Sequence, residues 1–256
     1  MDVTLDFVKK LARDAGQILL DGLNDVHTLD YKGPTNIVTE IDKKAETFIL
    51  NRIHDNFSGH TIIAEESGKI QGEKGKNWYI DPVDGTSNYA RGLPLFAVSI
   101  AFEENGVMQF GCVHDPVRDE CFSAARGEGA WLNEKRMHVS KTSKLIDAML
   151  VTGFPYDIHQ QNNNLDHFSD IIKEVHVVRR LGSAALDQVY VAAGRLDAYW
   201  EIGVESWDIA AGTLIVEEAG GKITTLTGES EYMLPPYAVL VSNGILHKDL
   251  LPFFKK

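Results

Sequence analysis

With 256 residues, 44% of them hydrophobic and 24% charged, the chain can bury a sizeable core as one large domain or two intimate halves, and its balance is that of a soluble globular enzyme. A formal net charge of −12 argues against broad binding to nucleic acid or anionic membranes, whose phosphates attract basic surfaces. No apolar run approaches membrane-spanning length, and Met1 to Gly16 lacks the continuous apolar stretch of a signal peptide, so a cytoplasmic location is expected.

In chain order, Val8, Leu11, Ala15, Ile18 and Leu19 make a helical stripe that ends near Gly22. The loop formers Asp30 to Asn36 follow, and Ile37 to Asp42 leads into a second helix with Ala45, Phe48, Ile49 and Ile53 on one face. Thr39 and Asp42 have capping-box spacing, with Asp in place of the usual Glu or Gln. Thr61 to Ala64 reads as a buried strand running into Glu65-Glu66-Ser67-Gly68. Phe96 to Phe102 and Val107 to Phe110 read as a hairpin around Asn105-Gly106. Gly111 to Phe122 and Gly129 to Asn133 continue an antiparallel meander, and these strands are expected to form one sheet backed by the two N-terminal helices. Cys112 and Cys121 flank the second hairpin, and one cysteine pair in a chain of this size is read as reduced and packed.

From about Ser140 strand and helix alternate, the pattern of an α/β half. The expected elements are a strand over Ala148 to Thr152, a polar helix from Asn163 to Lys173 and a strand over Val175 to Val178. A helix from Gly182 to Ala193, a strand from Leu196 to Trp200 ending at Glu201, and a helix opened by Trp207-Asp208 and closed by Gly220-Gly221 follow. Residues 1–140 and 141–256 are thus expected as two halves of one rigid body, with a cleft between two lobes.

The chain is organised around Asp81-Pro82-Val83-Asp84-Gly85-Thr86-Ser87-Asn88, which the apolar run Trp78-Tyr79-Ile80 feeds. Carboxylates three residues apart can converge if the chain turns between them, and Pro82 favours that turn. Gly85 lets backbone N–H groups approach an anion, and Thr86 adds a hydroxyl. Paired acids with exposed N–H groups describe a hard-cation site with a phosphate against it, although Asp-Pro and Asp-Gly are also ordinary turn dipeptides. A bound cation would resolve the repulsion that so acidic a surface presents to a phosphorylated ligand.

Four acidic points, Asp42, Glu65, the Asp81/Asp84 pair and Asp208, sit at expected element ends. Each alone has a plain structural reading, which for Asp42 is a first-turn helix charge and for Asp208 a helix N-cap. Jointly, Asn36-Ile37-Val38-Thr39-Glu40-Ile41-Asp42, Ala64-Glu65-Glu66-Ser67, Trp78 to Asn88, Trp207-Asp208-Ile209-Ala210-Ala211-Gly212 and Glu217-Glu218-Ala219-Gly220-Gly221 form a specific set. With these segments the chain resembles the inositol monophosphatase family of metal-dependent, lithium-sensitive phosphatases. The resemblance implies a layered α-β-α-β-α sandwich of the sugar-phosphatase type, with an antiparallel N-terminal sheet and an α/β C-terminal half. It also implies two to three Mg²⁺ ions. Glu65, Asp81 and the Val83 carbonyl would hold the first, and Asp81, Asp84 and Asp208 the second. A third, weaker ion would lean on Glu65. The attacking water would lie near Glu65 and Thr86, with Asp42 supporting Thr86, and the phosphate would rest on the N–H groups of Gly85 and Thr86 at a helix start.

By the same resemblance Glu201 would accept substrate hydroxyls, taking two donors at once, with Gly182, Ser183 and Ala184 lining that pocket. Glu205 and the segment Gly153-Phe154-Pro155-Tyr156 depart from better-known relatives. Inositol monophosphate is therefore the leading substrate, with fructose 1,6-bisphosphate, histidinol phosphate and the phosphates of NADP or 3′,5′-adenosine bisphosphate as alternatives. A homodimer acting on a small phosphorylated metabolite, with no nucleic-acid or membrane partner, is expected. One bacterial relative also partners the transcription machinery, so a protein-binding role beside the phosphatase fold is the alternative of another class. The histidines His27, His54, His60 and His247 show no metal-ligand spacing, and no Gly-x-Ser-x-Gly elbow is present.

Overall fold

The computed structural model describes residues 2–23, 29–31, 37–155 and 163–255; of the sequence segments above, Met1, His27, residues 32–36 of the expected loop and Tyr156 lie outside the described residues. Helix α1 (Leu5–Gly22) is capped by Thr4, whose hydroxyl accepts from Phe7 N, and buries Val8, Leu11, Ala15 and Leu19. Strands β1 (Leu29–Tyr31) and β2 (Ile37–Thr39) form a small antiparallel ribbon leading into α2 (Glu40–Phe57). Strands β3 (His60–Ala64), β4 (Gly68–Ile70) and β5 (Glu73–Asp84) run into a single helical turn, α3 (Thr86–Tyr89). The meander is β6 (Ala97–Glu104), β7 (Val107–Asp115), β8 (Glu120–Ala125), β9 (Gly129–Leu132) and β10 (Lys135–Arg136).

The second half comprises β11 (Met149–Thr152), α4 (Asn163–Ile171), β12 (Val177–Arg179), α5 (Ala184–Ala192) and β13 (Ala198–Ile202). It closes with α6 (Ser206–Glu218), β14 (Lys222–Thr225), β15 (Ala238–Ser242) and α7 (His247–Leu250). The last two strands and α7 carry no signal that the sequence reading used.

An 8-stranded sheet in the order β10-β9-β8-β7-β6-β5-β3-β4 and a 5-stranded sheet in the order β12-β11-β13-β15-β14 hold the fold. The meander is antiparallel, and Asn105 and Gly106 at φ 53 and 81 make the tight turn that joins β6 to β7. The expected all-antiparallel N-terminal sheet needs one correction: β3 and β5 pair parallel, Ala64 opposite Ile80. The hairpin strand β4 lies on the far side of β3, so β5 must cross over and return in the direction of β3. The second sheet is likewise mixed, parallel across β12-β11-β13 and antiparallel from β13 to β14.

Three apolar clusters glue the layers. One packs α1 and α2 on the large sheet through Leu11, Leu19, Ile49, Ile53, Trp78 and Ile100. A second, around α5 and α6, joins the inner faces of both sheets through residues such as Val113, Phe122, Leu186, Ile209, Tyr199 and Val241. The third lies on the outer face of the small sheet, where Ile171, Trp200, Leu240, Leu250 and Phe254 meet. The order is α-β-α-β-α, an α+β sandwich. Each large side chain so buried contributes about 1.5–3 kcal/mol. Among the described residues no helix is long and apolar enough to cross a membrane. Cys112 and Cys121 are buried and free, diagonal across the β7/β8 hairpin with their sulfurs 3.4 Å apart.

Candidate active site

The site begins with an irregularity in β5. Asp81 pairs with Ser99 and Asp84 with Ala97, so β5 spends one more residue than its partner over this span. In a regular strand residues three apart point to opposite faces; the bulge cancels that alternation and brings both carboxylates to one side. Pro82, which has no N–H to offer a ladder, sits inside the bulge. Asp81 is 2% exposed, and one of its oxygens accepts from Val83 N at 3.0 Å.

Asp208 arrives from the other half. It stands in the first turn of α6, and its Oδ2 accepts from the backbone N of Glu205 at 2.7 Å. It is thus the N3 partner of a capping box whose N-cap is Glu205, rather than the N-cap itself. One carboxylate oxygen each from Asp81, Asp84 and Asp208 lie within 4.8 Å of one another. Glu65 completes the group. It follows β3, the parallel neighbour of β5, and its N donates to Ile80 O at 3.2 Å, which puts its side chain in hydrogen-bonding contact with Asp81.

Asp42 and Thr86 form a second pair beside these acids. Asp42 is fully buried at the start of α2, with Thr39 N donating to its Oδ2 at 3.0 Å. The Thr86 hydroxyl lies 3.0 Å from Asp42 Oδ1 and 2.9 Å from Val83 O. It has one proton, so one of these contacts takes it and the lone pairs remain available. Gly85 precedes it at φ 91, and a Cβ there would lie 2.9 Å from Leu95 O and 3.2 Å from Gly182 O. Glycine is required both by the left-handed backbone and by this close approach. α3 is one turn long, so the helix dipole expected to favour a phosphate contributes little here; any anion would rest on individual N–H groups.

The opposite wall is the start of α5. Ser183, its N-cap, donates its hydroxyl to Asp84 Oδ2, while Ala184 N and Ala185 N reach the same carboxylate at 3.1 and 2.9 Å. Ser183 and Ala184 therefore engage Asp84 directly. Glu201 lies within β13 rather than at its end, and its Oε2 accepts from the buried Tyr199 hydroxyl at 2.7 Å. Ser183, Ala184 and Glu201 face Glu65, Asp84, Thr86 and Asp208 around a cleft of about 530 Å³.

Charge dominates that cleft. Burial pushes the Asp81, Asp84 and Asp208 carboxyls above their ordinary range, and neighbouring carboxylates push them further. Bonds from Ser183, Ala185 and Ala184 oppose this at Asp84. Burial likewise raises Asp42, against bonds from Thr39 and Thr86. Glu201 is lifted to about 7 by burial, opposed by the Tyr199 bond. Among the described residues Arg180 is the one basic side chain lining the cleft, and its guanidinium lies 5.4 Å over the Phe154 ring. Converging hard oxygens with no cation of the chain's own between them fit a divalent metal.

Residues that sequence reading passed over do much of the positioning. Glu46, 2% exposed on α2, accepts from Glu66 N at 2.8 Å and from the Ser67 hydroxyl, and so holds the turn that carries Glu65. Its signal was legible: Asp42 and Glu46 stand four apart on the face that also buries Ala45 and Ile49. Asn88 donates to Leu95 O and Leu181 O, both at 2.8 Å, tying α3 to the segment before α5. Gln188 donates to Ala184 O and Asp208 O, each at 2.9 Å, and so links the starts of α5 and α6.

An α-β-α-β-α sandwich with clustered aspartates at the inter-half cleft defines a class of metal-dependent phosphatases. Residues 1–255 match the family described as "Inositol monophosphatase family", and the chain belongs to it. It is 41% identical to the Nus factor SuhB of Pasteurella multocida over 98% of this chain and 95% of that one. It is 39% identical to the inositol-1-monophosphatase of Mesorhizobium japonicum, over 98% and 96%. The crystal structure of the extragenic suppressor protein suhB from Bartonella henselae superposes with a TM-score of 0.93 at 36% identity, covering 98% of each chain.

Proposed function

We propose that this protein is a Mg²⁺-dependent phosphomonoesterase that hydrolyses inositol monophosphate to inositol and phosphate. The observation that carries the reading is the convergence of Asp81, Asp84 and Asp208 within 4.8 Å, in a chain of this family. Glu65, Asp81, the Val83 carbonyl, Asp84 and Asp208 would hold two to three ions. When bound, such ions supply positive charge that stabilises the phosphoryl oxygens and makes a water more acidic.

The chain's own residues divide the remaining work. Asp42, locked by Thr39, orients the Thr86 hydroxyl so that its lone pair can accept a hydrogen bond from the attacking water, whose proton Glu65 would take. The N–H groups of Gly85 and Thr86 receive the phosphate. Glu201 receives the polyol, with Gly182, Ser183 and Ala184 lining the same cleft.

The test is phosphate release across a panel of inositol 1-phosphate, fructose 1,6-bisphosphate, histidinol phosphate, NADP and 3′,5′-adenosine bisphosphate, with Mg²⁺ varied and Li⁺ added. Inositol 1-phosphate is expected to lead, turnover to require Mg²⁺, and millimolar Li⁺ to inhibit. Asp81→Asn is expected to lower kcat by about a thousandfold, on the order of 4 kcal/mol; near-normal turnover at saturating Mg²⁺ refutes the assignment. A homodimer in the cytoplasm is the expected setting, and light scattering reads the assembly.

A second reading is favoured by the relative named as a Nus factor: a protein-binding role in transcription beside catalysis. Asp81→Asn serves as bait here, because a partner retained by the inactive variant separates binding from turnover.

A further inference from the structure

We infer that Tyr199 and Gly153 are positioning residues that preset the Glu201 carboxylate, holding Oε2 so that Oε1 is presented to the substrate alcohol. This rests on the reading of Glu201 as the acceptor for a polyol. The Tyr199 hydroxyl donates to Glu201 Oε2 at 2.7 Å from a side chain that is wholly buried. Two residues apart on β13, these side chains share one face of the strand, so the bond is set by the backbone itself.

Gly153 supplies the other restraint. It directly follows β11, which pairs parallel with β13, Val151 opposite Tyr199 and Thr152 opposite Trp200. The Thr152 hydroxyl locks this register by donating to Trp200 O at 2.6 Å. A Cβ at Gly153 would overlap the Glu201 carboxylate. The carboxylate therefore lies flat on bare backbone, and any side chain at 153 would drive it away. Tyr199 fixes which oxygen points inward, and Gly153 provides the place where it lies. Glu201 has more lone pairs than one donor fills; the bond from Tyr199 fixes Oε2 and with it the direction in which Oε1 is presented.

A hydroxyl of the leaving alcohol held at Oε1 is bound alike before and during bond breaking, so its loss raises KM and spares kcat. A phosphomonoester whose leaving group has no such hydroxyl does not sense Glu201. Removing the phenolic oxygen also frees the Glu201 side chain to sample other rotamers.

The experiment compares myo-inositol 1-phosphate with p-nitrophenyl phosphate at saturating Mg²⁺, using Tyr199→Phe, Gly153→Ala and Glu201→Gln singly, and the first two combined with the third. Tyr199→Phe is expected to raise KM for inositol 1-phosphate about tenfold, with kcat and both p-nitrophenyl phosphate constants within about twofold. Gly153→Ala is expected to do the same, and neither should add to Glu201→Gln. Parallel loss on both substrates, a full effect on the Glu201→Gln background, or no effect where Glu201→Gln has one overturns the inference and leaves the phosphatase reading standing. If Glu201→Gln leaves KM for inositol 1-phosphate unchanged, the polyol reading and the inference fall together, while the p-nitrophenyl phosphate assay still tests hydrolysis. If thermal melting shows that Tyr199→Phe does not fold, Gly153→Ala carries the same comparison.

Discussion

Glu46 shows how a buried charge can serve chemistry without touching it. Its two oxygens each accept one bond, from Glu66 N and from the Ser67 hydroxyl, and the turn so held sets where Glu65 meets Asp81. Glu46→Ala removes both acceptors, so the bonds from Glu66 N and from the Ser67 hydroxyl are lost together. We expect the Mg²⁺ concentration for half-maximal activity to rise by about tenfold and stability to fall by about 1–3 kcal/mol. A Mg²⁺ titration of turnover and a urea melt read the two effects. An unchanged Mg²⁺ response would show that the turn holds Glu65 without this carboxylate.

At the scale of elements, the edge of the small sheet away from the cleft is fixed by a buried histidine. β14 and β15 are stitched by His247 at the start of α7, whose Nε2 lies 2.9 Å from the Thr224 hydroxyl and Nδ1 2.8 Å from that of Ser242. Burial, aided by Lys222, depresses this imidazole to about 4 from an ordinary 6.5. Between these values the unfolded chain binds the proton and the folded one does not, so stability falls as pH drops through that window. The share of this one group is a loss of about 2 kcal/mol between pH 7 and pH 5. It is read as the difference between wild type and His247→Gln, because the raised carboxyls of the cleft act in the opposite sense. His247→Gln should lower stability at pH 7 and remove this share of the slope. Urea midpoints at the two pH values measure it, and an equal slope in the variant would sink the account.

For the whole molecule, the apolar cluster around α5 and α6 draws on both halves. Val113 and Phe122 of the large sheet share it with Tyr199 and Val241 of the small one. Neither residues 1–140 nor residues 141–256 can close that layer alone, so we propose that the halves unfold as one. Urea unfolding followed by tryptophan fluorescence and by far-UV circular dichroism is expected to give a single coincident transition. Trp78 and Trp200 report from different sheets, and two separated midpoints would show independent halves.

Much of this was legible in the residues themselves. The helical stripe of α1, the Thr39–Asp42 capping box, the Asn105-Gly106 turn and the family motifs are local patterns, written in neighbours a few positions apart. They determined the helices, the meander and the family. The parallel pairing of β3 with β5, the bulge that turns Asp81 and Asp84 to one side, and β14 with β15 were decided only by tertiary structure. So were the Glu46 clasp on Glu65 and the Tyr199–Glu201–Gly153 contact. The physical reason is the same for each. Strand order, register and buried polar partners depend on which distant segments win the shared core, and that competition leaves no periodic trace in any one stretch of chain.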